Sequence, residues 1–300
     1  MNEQFAQFIT NWISQIPQLT VNGIALGSII ALAAVGLTLT YGILRLSNFA
    51  HGDFLTLGAY LTFLLNATFG VNIWLGMILA TLGTVMGMLI SEKLLWSRMR
   101  SVRANSTTFI IISIGLALFV RNGIILIWGG GNLSYKVPVS SAIDIFGLKI
   151  PQAKLIITVL AILAIIALHY LLQNTKIGKA MRAVADDIDL ARVTGINVDQ
   201  VIIATWIIAG VLTSIGGSML GLSEGIRPNM GWFLILPLFA SVILGGIGNP
   251  YGAIAGAFII GIAQEVSTPL IGSQYKLAVA LVIVILVLLV RPKGLFRGTI

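Results

Sequence analysis

Ionisable side chains inside long apolar stretches are the residues of this chain whose chemistry stands out. A charged group at membrane depth is costly and is therefore a functional candidate by default. His51 and Asp53 lie two positions apart, but no serine-nucleophile motif accompanies them and no H-E-x-x-H metal pair occurs. An intramembrane hydrolase is therefore disfavoured. The candidates are Arg45, His51, Asp53, Arg121, His169, Glu224 and Glu265.

Two other roles stay open for these groups. Asp53, Glu224 or Glu265 would serve as a proton or ion site in a secondary transporter or channel. In a structural role, Asp53 would cap the helix that begins there, and His51 would bond a nearby carbonyl. Arg121 lies inside an apolar run and needs a partner or water, and Glu224 and Glu265 are the candidate partners.

A polar segment, residues 174–200, separates two apolar runs and suggests a docking element for a soluble partner. It holds four basic and four acidic residues. A helix over 181–191 would place its apolar side chains on one face, and Gly195 would end the element in a left-handed conformation. A solvated connecting loop is the alternative. The residues assigned to docking are Gly178, Lys179, Met181, Arg182, Val184, Ile188, Ala191 and Gly195.

Two glycine-interrupted segments, one in each half of the chain, point to a translocation path. Non-helical backbone is tolerated at membrane depth only where protein or water satisfies it, and interrupted segments in both halves are typical of transport paths. Ordinary loops with glycine at tight turns are the alternative. The candidate path residues are Asn48, Phe49, His51, Gly52, Asp53, Gly245, Gly246 and Gly248.

The elements that must position these residues are transmembrane helices. The chain is 57% hydrophobic and 9% charged, without cysteine, unlike a soluble domain; a spanning helix needs about 20 apolar residues. The sequence predicts an all-α polytopic membrane protein with eight or nine transmembrane helices, interrupted or re-entrant in places, as a single domain over 1–300. The predicted spans are 19–44, 51–68, 71–96, 107–128, 152–172, 200–222, 232–247, 250–266 and 276–290, those within 232–266 being short or re-entrant.

Basic residues set the expected orientation. The net charge is +8, and more than half of the 18 Lys and Arg residues lie in three short clusters, as in cytoplasmic loops; a nucleic-acid partner is not expected. Residues 174–199 are therefore predicted to form a cytoplasmic coupling loop. Residues 1–18 carry apolar side chains three and four apart, which predicts an interfacial helix lying on the bilayer. The clusters are Arg98, Arg100 and Arg103; Lys176, Lys179, Arg182 and Arg192; and Arg291, Lys293 and Arg297.

Several short motifs together resemble the permease subunits of ATP-binding-cassette importers for branched-chain and neutral amino acids, the high-affinity branched-chain permease family. Each motif is short, but their order and spacing cover nearly all of the chain from residue 23 onward. They are Y-G-I at 41–43, N-F-A-H-G at 48–52, G-A-Y at 58–60, G-K-A-M-R-A at 178–183, G-I at 195–196, G-G-I-G at 245–248 and R-P-K-G-L-F at 291–296.

The resemblance implies an ABC-importer permease fold in the cell inner membrane, with a coupling helix inside 178–196 that sits in a groove of an ATPase subunit. It also implies two ATPase subunits, a second homologous permease in a homo- or heterodimer, and an extracytoplasmic solute-binding protein. No G-x-x-x-x-G-K-[ST] loop occurs, so this transport subunit would bind no cofactor directly, and ATP with magnesium would be used by its partners. Relatives that carry urea or short amides are the alternative for the cargo.

Overall fold

Helices occupy every predicted apolar stretch in the computed structural model, which describes residues 2–137, 142–145, 147–292 and 294–296. Lys293 and Arg297 of the third basic cluster lie outside these residues. The helices are α1 (Asn2–Leu44), α2 (His51–Phe63) with a π-helical turn (Leu64–Thr68), α3 (Ile73–Ser91) with a π-helical turn (Glu92–Trp96), α4 (Ser97–Ser101), α5 (Ser106–Trp128), α6 (Gln152–Asn174), α7 (Lys176–Asp186), α8 (Ile188–Val193), α9 (Val198–Glu224), α10 (Met230–Gly245), α11 (Pro250–Ile271), a 3-10 turn (Ser273–Tyr275) and α12 (Lys276–Val290). Strands β1 (Ala142–Ile145) and β2 (Leu148–Pro151) form an antiparallel hairpin with Ala142 opposite Pro151.

Membrane crossing is supported by the length and composition of these helices. Within the described residues, seven helices are long and apolar enough to cross a bilayer, which confirms an all-helical polytopic protein apart from the hairpin. They are Thr10–Leu44, Ile73–Ser101, Ser106–Trp128, Gln152–Asn174, Val198–Glu224, Pro250–Ile271 and Ser273–Val290. The other two predicted spans are not among these seven: one is α2 (13 residues) with its π-helical turn (5 residues), and the other is the shorter helix α10 (16 residues).

The helix α1 forms the centre of the bundle, packed along α11 and against α9. In its most apolar stretch 89% of residues are buried, against 11% in α12. The outer helices α5, α6 and α12 present exposed apolar side chains such as Leu126 and Leu289, as expected of faces that meet lipid. The core also contains buried polar and charged groups, among them Asp53 on α2, Thr84 on α3 and Thr213 on α9.

The separate N-terminal helix predicted for residues 1–18 is wrong, because α1 continues without a break from Asn2 to Leu44. Two tertiary contacts hold this first part in line across Pro17. The indole nitrogen of Trp12 donates to the carbonyl of Val266 (3.0 Å), and the Gln18 amide exchanges two hydrogen bonds, both 3.1 Å, with the backbone of Lys149 in the hairpin. At 1.5 Å per residue α1 is about 64 Å long, so it extends well beyond a hydrocarbon core of about 30 Å.

The starts of α2 and α10 are in direct backbone contact. A Cβ atom on Gly231 would lie 1.8 Å from the carbonyl oxygen of Gly52, and one on Gly52 would lie 2.3 Å from the carbonyl oxygen of Gly231. The Thr56 hydroxyl accepts a hydrogen bond from the Gly231 amide (3.0 Å). Small residues permit such close helix approach in membranes, so this contact fixes where α10 begins.

The segment that follows α5 closes one end of the bundle. Leu133 and Ile226 exchange two backbone hydrogen bonds of 2.9 and 2.8 Å. The Tyr135 hydroxyl donates to the carbonyl of Ala59 (3.2 Å), and burial raises the pKa of its phenol, so the group remains a neutral donor. The short connection between α9 and α10 is thereby held in one conformation.

Replacing Gly231 by alanine is expected to destabilise the protein, because the new methyl group meets the backbone of Gly52 rather than a movable side chain. Overpacking of this kind costs about 1–3 kcal/mol. The matched control is Gly115→Ala in α5, where a Cβ atom meets nothing within 4 Å and the helix gains from the better helix former. Thermal unfolding of the purified chains in detergent measures the stability of both variants. Equal unfolding midpoints would contradict the close backbone contact between Gly52 and Gly231.

Candidate functional site

The polar segment between α6 and α9 is an ordered pair of short helices, which we call the coupling segment (α7 and α8, residues 176–193). The single helix predicted over 181–191 is wrong. Asp187 has extended backbone angles (φ −152°, ψ 111°), and its carboxylate accepts hydrogen bonds from the amides of Asp189 and Leu190, both 2.9 Å. A carboxylate in this position favours the start of a new helix, so Asp187 ends α7 and caps α8.

The apolar stripe of the coupling segment faces the permease itself. Met181, Val184 and Ala191 are 1%, 2% and 3% exposed, and Ile188 is half-buried. Met181 shares a cavity wall with Leu39, Ile43 and Leu172 of the spans. The prediction that this stripe binds a soluble partner is therefore corrected. These side chains pack inside the permease and hold α7 and α8 against α1, α6 and α9.

The outward face of the coupling segment has its own apolar pair, which the sequence analysis did not select. Leu190 is 62% exposed and Val193 is 85% exposed. Asp189 and Arg192 flank them and form a loose ion pair at 3.9 Å. The sequence did contain a signal for this pair: Leu190 and Val193 are apolar residues of a polar segment and lie outside the predicted stripe. We call Leu190, Val193 and Arg192 the tip.

The ends of the coupling segment are fixed by local contacts. Thr175 caps α7 through the Gly178 amide (3.0 Å), and a Cβ atom on Gly178 would lie 2.3 Å from the carbonyl oxygen of Leu171. The Arg182 guanidinium donates to the carbonyl of Leu172, which ties α7 to the end of α6. Lys179 is exposed.

The predicted stop at Gly195 is present. The φ angle of Gly195 is +87°, in the left-handed region. Asn197 then caps α9 through the Gln200 amide (3.1 Å).

The second glycine-interrupted segment is a tight turn between α10 and α11. A Cβ atom on Gly245 would lie 2.0 Å from the carbonyl oxygen of Gly252, and Gly246 and Gly248 have φ angles of +102° and +85°. The Leu295 amide donates to the carbonyl of Leu244 (2.8 Å), so the end of the chain packs on this turn.

The turn and the coupling segment meet at a common cavity of about 290 Å³. Met181 and Arg182 line it from α7, and Gly248 and Tyr251 line it from the turn. Tyr251 is in turn held by the end of α6, through the His169 ring nitrogen Nδ1 (2.8 Å) and the Gln173 amide (3.3 Å). A displacement of α7 would therefore change the cavity that the α10–α11 turn also lines.

The first interrupted segment enters the protein interior. His51, the first residue of α2, shares its Nε2 atom between the carbonyl of Ala33 and the hydroxyl of Thr213, both at 2.9 Å, so its predicted carbonyl bond is confirmed. Ala33 lies 11 residues before the end of α1, which corresponds to about 16 Å along the helix. The backbone at 45–50 therefore runs back into the bundle, with Asn48 fully buried and its Oδ1 accepting from the Ala50 amide (3.1 Å).

The predicted path residues around this break do not line the cavity at the coupling segment. Asn48, His51 and Asp53 are 0% exposed, and Gly52 contacts Gly231. Phe49 packs against Phe239 of α10 with ring centroids 4.8 Å apart. In this structure they hold helices together, and their role in a path stays a prediction.

A buried ion pair joins α2, α5 and α10. The Arg121 guanidinium donates from Nε to Asp53 Oδ1 (2.9 Å) and from Nη2 to Oδ2 (3.0 Å), and its carbon lies 4.6 Å from the ring centroid of Trp232. Two sequence predictions are therefore wrong: Arg121 pairs with neither predicted glutamate, and Asp53 does not cap α2, which has no side-chain cap. A bidentate guanidinium–carboxylate pair is the stronger interaction.

The remaining ionisable candidates separate into paired and open groups. Glu265 accepts from the Lys276 ammonium (2.5 Å). Arg45 follows α1 with a φ angle of +53° and lines a second cavity beside α7 with Arg100 and Asp186. Glu224 is exposed at the end of α9, on the side of the bundle away from the coupling segment.

The fold and these contacts define a multi-span membrane transport protein with an ordered helical segment outside its spans. Residues 19–289 match the family of the branched-chain amino acid transport system permease component. The chain belongs to this family, and it is a transport permease rather than an enzyme.

Individual relatives agree with this placement. The chain is 33% identical to the high-affinity branched-chain amino acid transport system permease protein LivH of Escherichia coli, over 98% of this chain and 97% of that protein. It is 22% identical to LivM, another permease protein of the same description from Escherichia coli, over 96% of this chain and 72% of that protein. A solved structure, PsaBC from Streptococcus pneumoniae in complex with Fab, shares the fold with a TM-score of 0.55 at 12% identity, covering 95% of this chain and 97% of that one.

Breaking the ion pair should cost far more than breaking a surface pair. Asp53→Asn or Arg121→Gln leaves one buried partner uncompensated, at about 3–5 kcal/mol, and the double variant should lose less than the sum of the two. Arg192→Gln, which removes the exposed pair with Asp189, should cost about 0–1 kcal/mol. Thermal unfolding in detergent gives the stability losses of the single and double variants. A loss in the double variant equal to the sum of the two single losses would rule out coupling between Arg121 and Asp53.

Proposed function

We propose that this chain is the membrane-embedded permease subunit of an ATP-driven importer of branched-chain amino acids, working with separate ATPase subunits. The observation that carries the proposal is the coupling segment: a capped helical pair anchored by its own apolar stripe and presenting an apolar tip. Membership in a family of branched-chain amino acid transport permeases and the similarity to LivH support the cargo.

The proposed assembly has this chain in the cell inner membrane beside a second permease. The similarity to both LivH and LivM favours a related partner in the pair. Two ATP-binding-cassette subunits would dock on the tips and hydrolyse ATP with magnesium, and a solute-binding protein would deliver the amino acid from the other side. We assign nine crossings within the single domain 1–300, with α2 and α10 as the two short ones.

The mechanism follows from how the tip is connected to the spans. A nucleotide-dependent movement of an ATPase groove would push on Leu190 and Val193, and the buried stripe would pass the displacement to α6 and α9 as a rigid unit. Met181 and Gly248 line the same cavity, and we propose that the α10–α11 turn responds to the same movement. Packed elements with two arrangements transmit small shifts in this way.

Secondary transport is disfavoured by the state of the intramembrane acids. Asp53 is held by Arg121, and Glu265 is held by Lys276, so neither is an open proton or ion site, and Glu224, the third candidate, is the exposed last residue of α9 rather than a buried group. The two-helix segment also has no role in a carrier that works without a motor.

Reconstitution tests the function directly. Vesicles that contain the chain, its partner permease and the ATPase subunits, supplied with binding protein, should accumulate radiolabelled leucine only when ATP is enclosed on the ATPase side. Urea and acetamide are the control cargoes, because related permeases for those solutes are the alternative. Leucine uptake that persists without ATPase subunits would refute ATP coupling, and uptake of urea in place of leucine would refute the cargo.

The tip can be tested separately from the cargo. Leu190→Asp with Val193→Asp should abolish retention of the ATPase subunits while leaving membrane insertion and thermal stability unchanged, because both side chains are exposed. The control is Val102→Asp, another exposed valine (68%, against 85% for Val193) on the loop after α4. Co-purification yields compare the variants, and an equal loss in the control would contradict a docking site at the tip. Met181→Asp should instead destabilise the chain, since Met181 is buried.

A further inference from the structure

Another cavity, distinct from the two beside α7, lies at the end of the bundle away from the coupling segment. Its volume is about 420 Å³, within the range of about 300–1,000 Å³ that small-molecule sites occupy. Its walls come from the end of α9, the start of α10 and the α11–α12 connection. Phe233, Leu234, Pro237 and Leu26 give it an apolar wall, and charged groups stand at its rim.

The rim carries one acid and one base that have no ion-pair partner within the described residues. Glu224 and Arg227 both line the cavity and are both exposed, and neither belongs to any of the ion pairs of the described chain. The third charged residue of the rim, Lys276, is already held by Glu265 at 2.5 Å. A carboxylate and a guanidinium are therefore open toward the same space.

Both open charges are placed against the helix dipoles. Glu224 is the last residue of α9, at the negative end of that helix, and Arg227 stands three residues before α10, near its positive end. Such placements are unfavourable for the protein alone. A ligand with an ammonium group beside Glu224 and a carboxylate beside Arg227 would offset both at once.

The backbone that carries the two charged side chains is held in place. Ile226, between them, is fully buried and exchanges two hydrogen bonds with Leu133, and Pro228 beside Arg227 is also buried. Only the side chains of Glu224 and Arg227 remain free to adjust. A pair of opposite charges on a fixed stretch of backbone, next to an apolar wall, matches an α-amino acid with an apolar side chain.

We propose that this cavity is a binding site for the zwitterion of an apolar amino acid, where Arg227 holds the carboxylate, Glu224 holds the ammonium, and Phe233 and Leu234 contact the side chain. The inference rests on the proposed function, since it describes where the delivered amino acid first meets the permease. It assigns the permease a selective contact of its own, in addition to any selection by the binding protein.

Protection of a single cysteine tests the site without transport. The chain has no cysteine, so Phe233→Cys places one thiol on the cavity wall, and Phe69→Cys places one on an exposed position outside the cavity. Millimolar leucine should slow maleimide labelling of the first chain and leave the second unchanged. Arg227→Gln or Glu224→Gln should raise the half-protecting leucine concentration about tenfold, whereas Lys149→Gln, an exposed charge on the hairpin, should not.

The outcomes separate this inference from the proposed function. ATP-driven leucine uptake together with no leucine protection at Phe233→Cys would overturn the site and leave the function standing. Protection by ligand-free binding protein, with no effect of leucine alone, would mean that the rim is a protein-docking surface and would also overturn it. Leucine protection that is lost in Arg227→Gln, and retained in Lys149→Gln, would establish it even if uptake itself failed.

Discussion

The ion pair between Arg121 and Asp53 is the interaction on which the placement of the short helices depends. A buried carboxylate is tolerated only with a partner of good geometry, and here the partner reaches in from α5, an otherwise lightly buried helix. The stacked Trp232 brings in α10. Because Gly52 and Gly231 then touch through their backbones, α2 and α10 begin together inside the bundle. Within the non-helical stretch at 45–50, the Arg45 amide donates to the carbonyl of Tyr41 (2.8 Å) and the Ala50 amide donates to Asn48 Oδ1 (3.1 Å), so these backbone groups are satisfied by the protein itself.

The coupling segment has one face that is buried against the permease and one face that is exposed. Its apolar stripe packs against the rest of the permease. A movement of α8 would therefore reach α1, α6 and α9 through close contacts rather than through a flexible link. The surface left for a soluble partner is small: two apolar side chains with a charged neighbour. The docking that we propose would use a small surface, which suits a segment that is bound and released during a transport cycle.

Two cavities at opposite ends of the bundle fit the demands of alternating access. One of about 290 Å³ lies beside the coupling segment, and one of about 420 Å³ lies beside the α9–α10 connection. They share no lining residue, so they do not form one continuous path. The α10 helix connects their surroundings, since its start lies at the larger cavity and its glycine turn at the smaller, and this helix is the element through which a change at one end would alter the other.

The sequence by itself determined the position and apolar character of the long helices, because hydrophobic length acts locally and is visible without knowledge of contacts. It also determined the family, through short motifs in a fixed order, and the left-handed stop at Gly195. Tertiary structure decided the rest. Periodicity shows that Met181, Val184 and Ala191 share a face but not which neighbour covers it, and composition shows that Arg121 needs an acid but not that Asp53, 68 positions away, supplies it. The break at Asp187 and the unbroken α1 depended on capping and packing contacts, which sequence spacing does not encode.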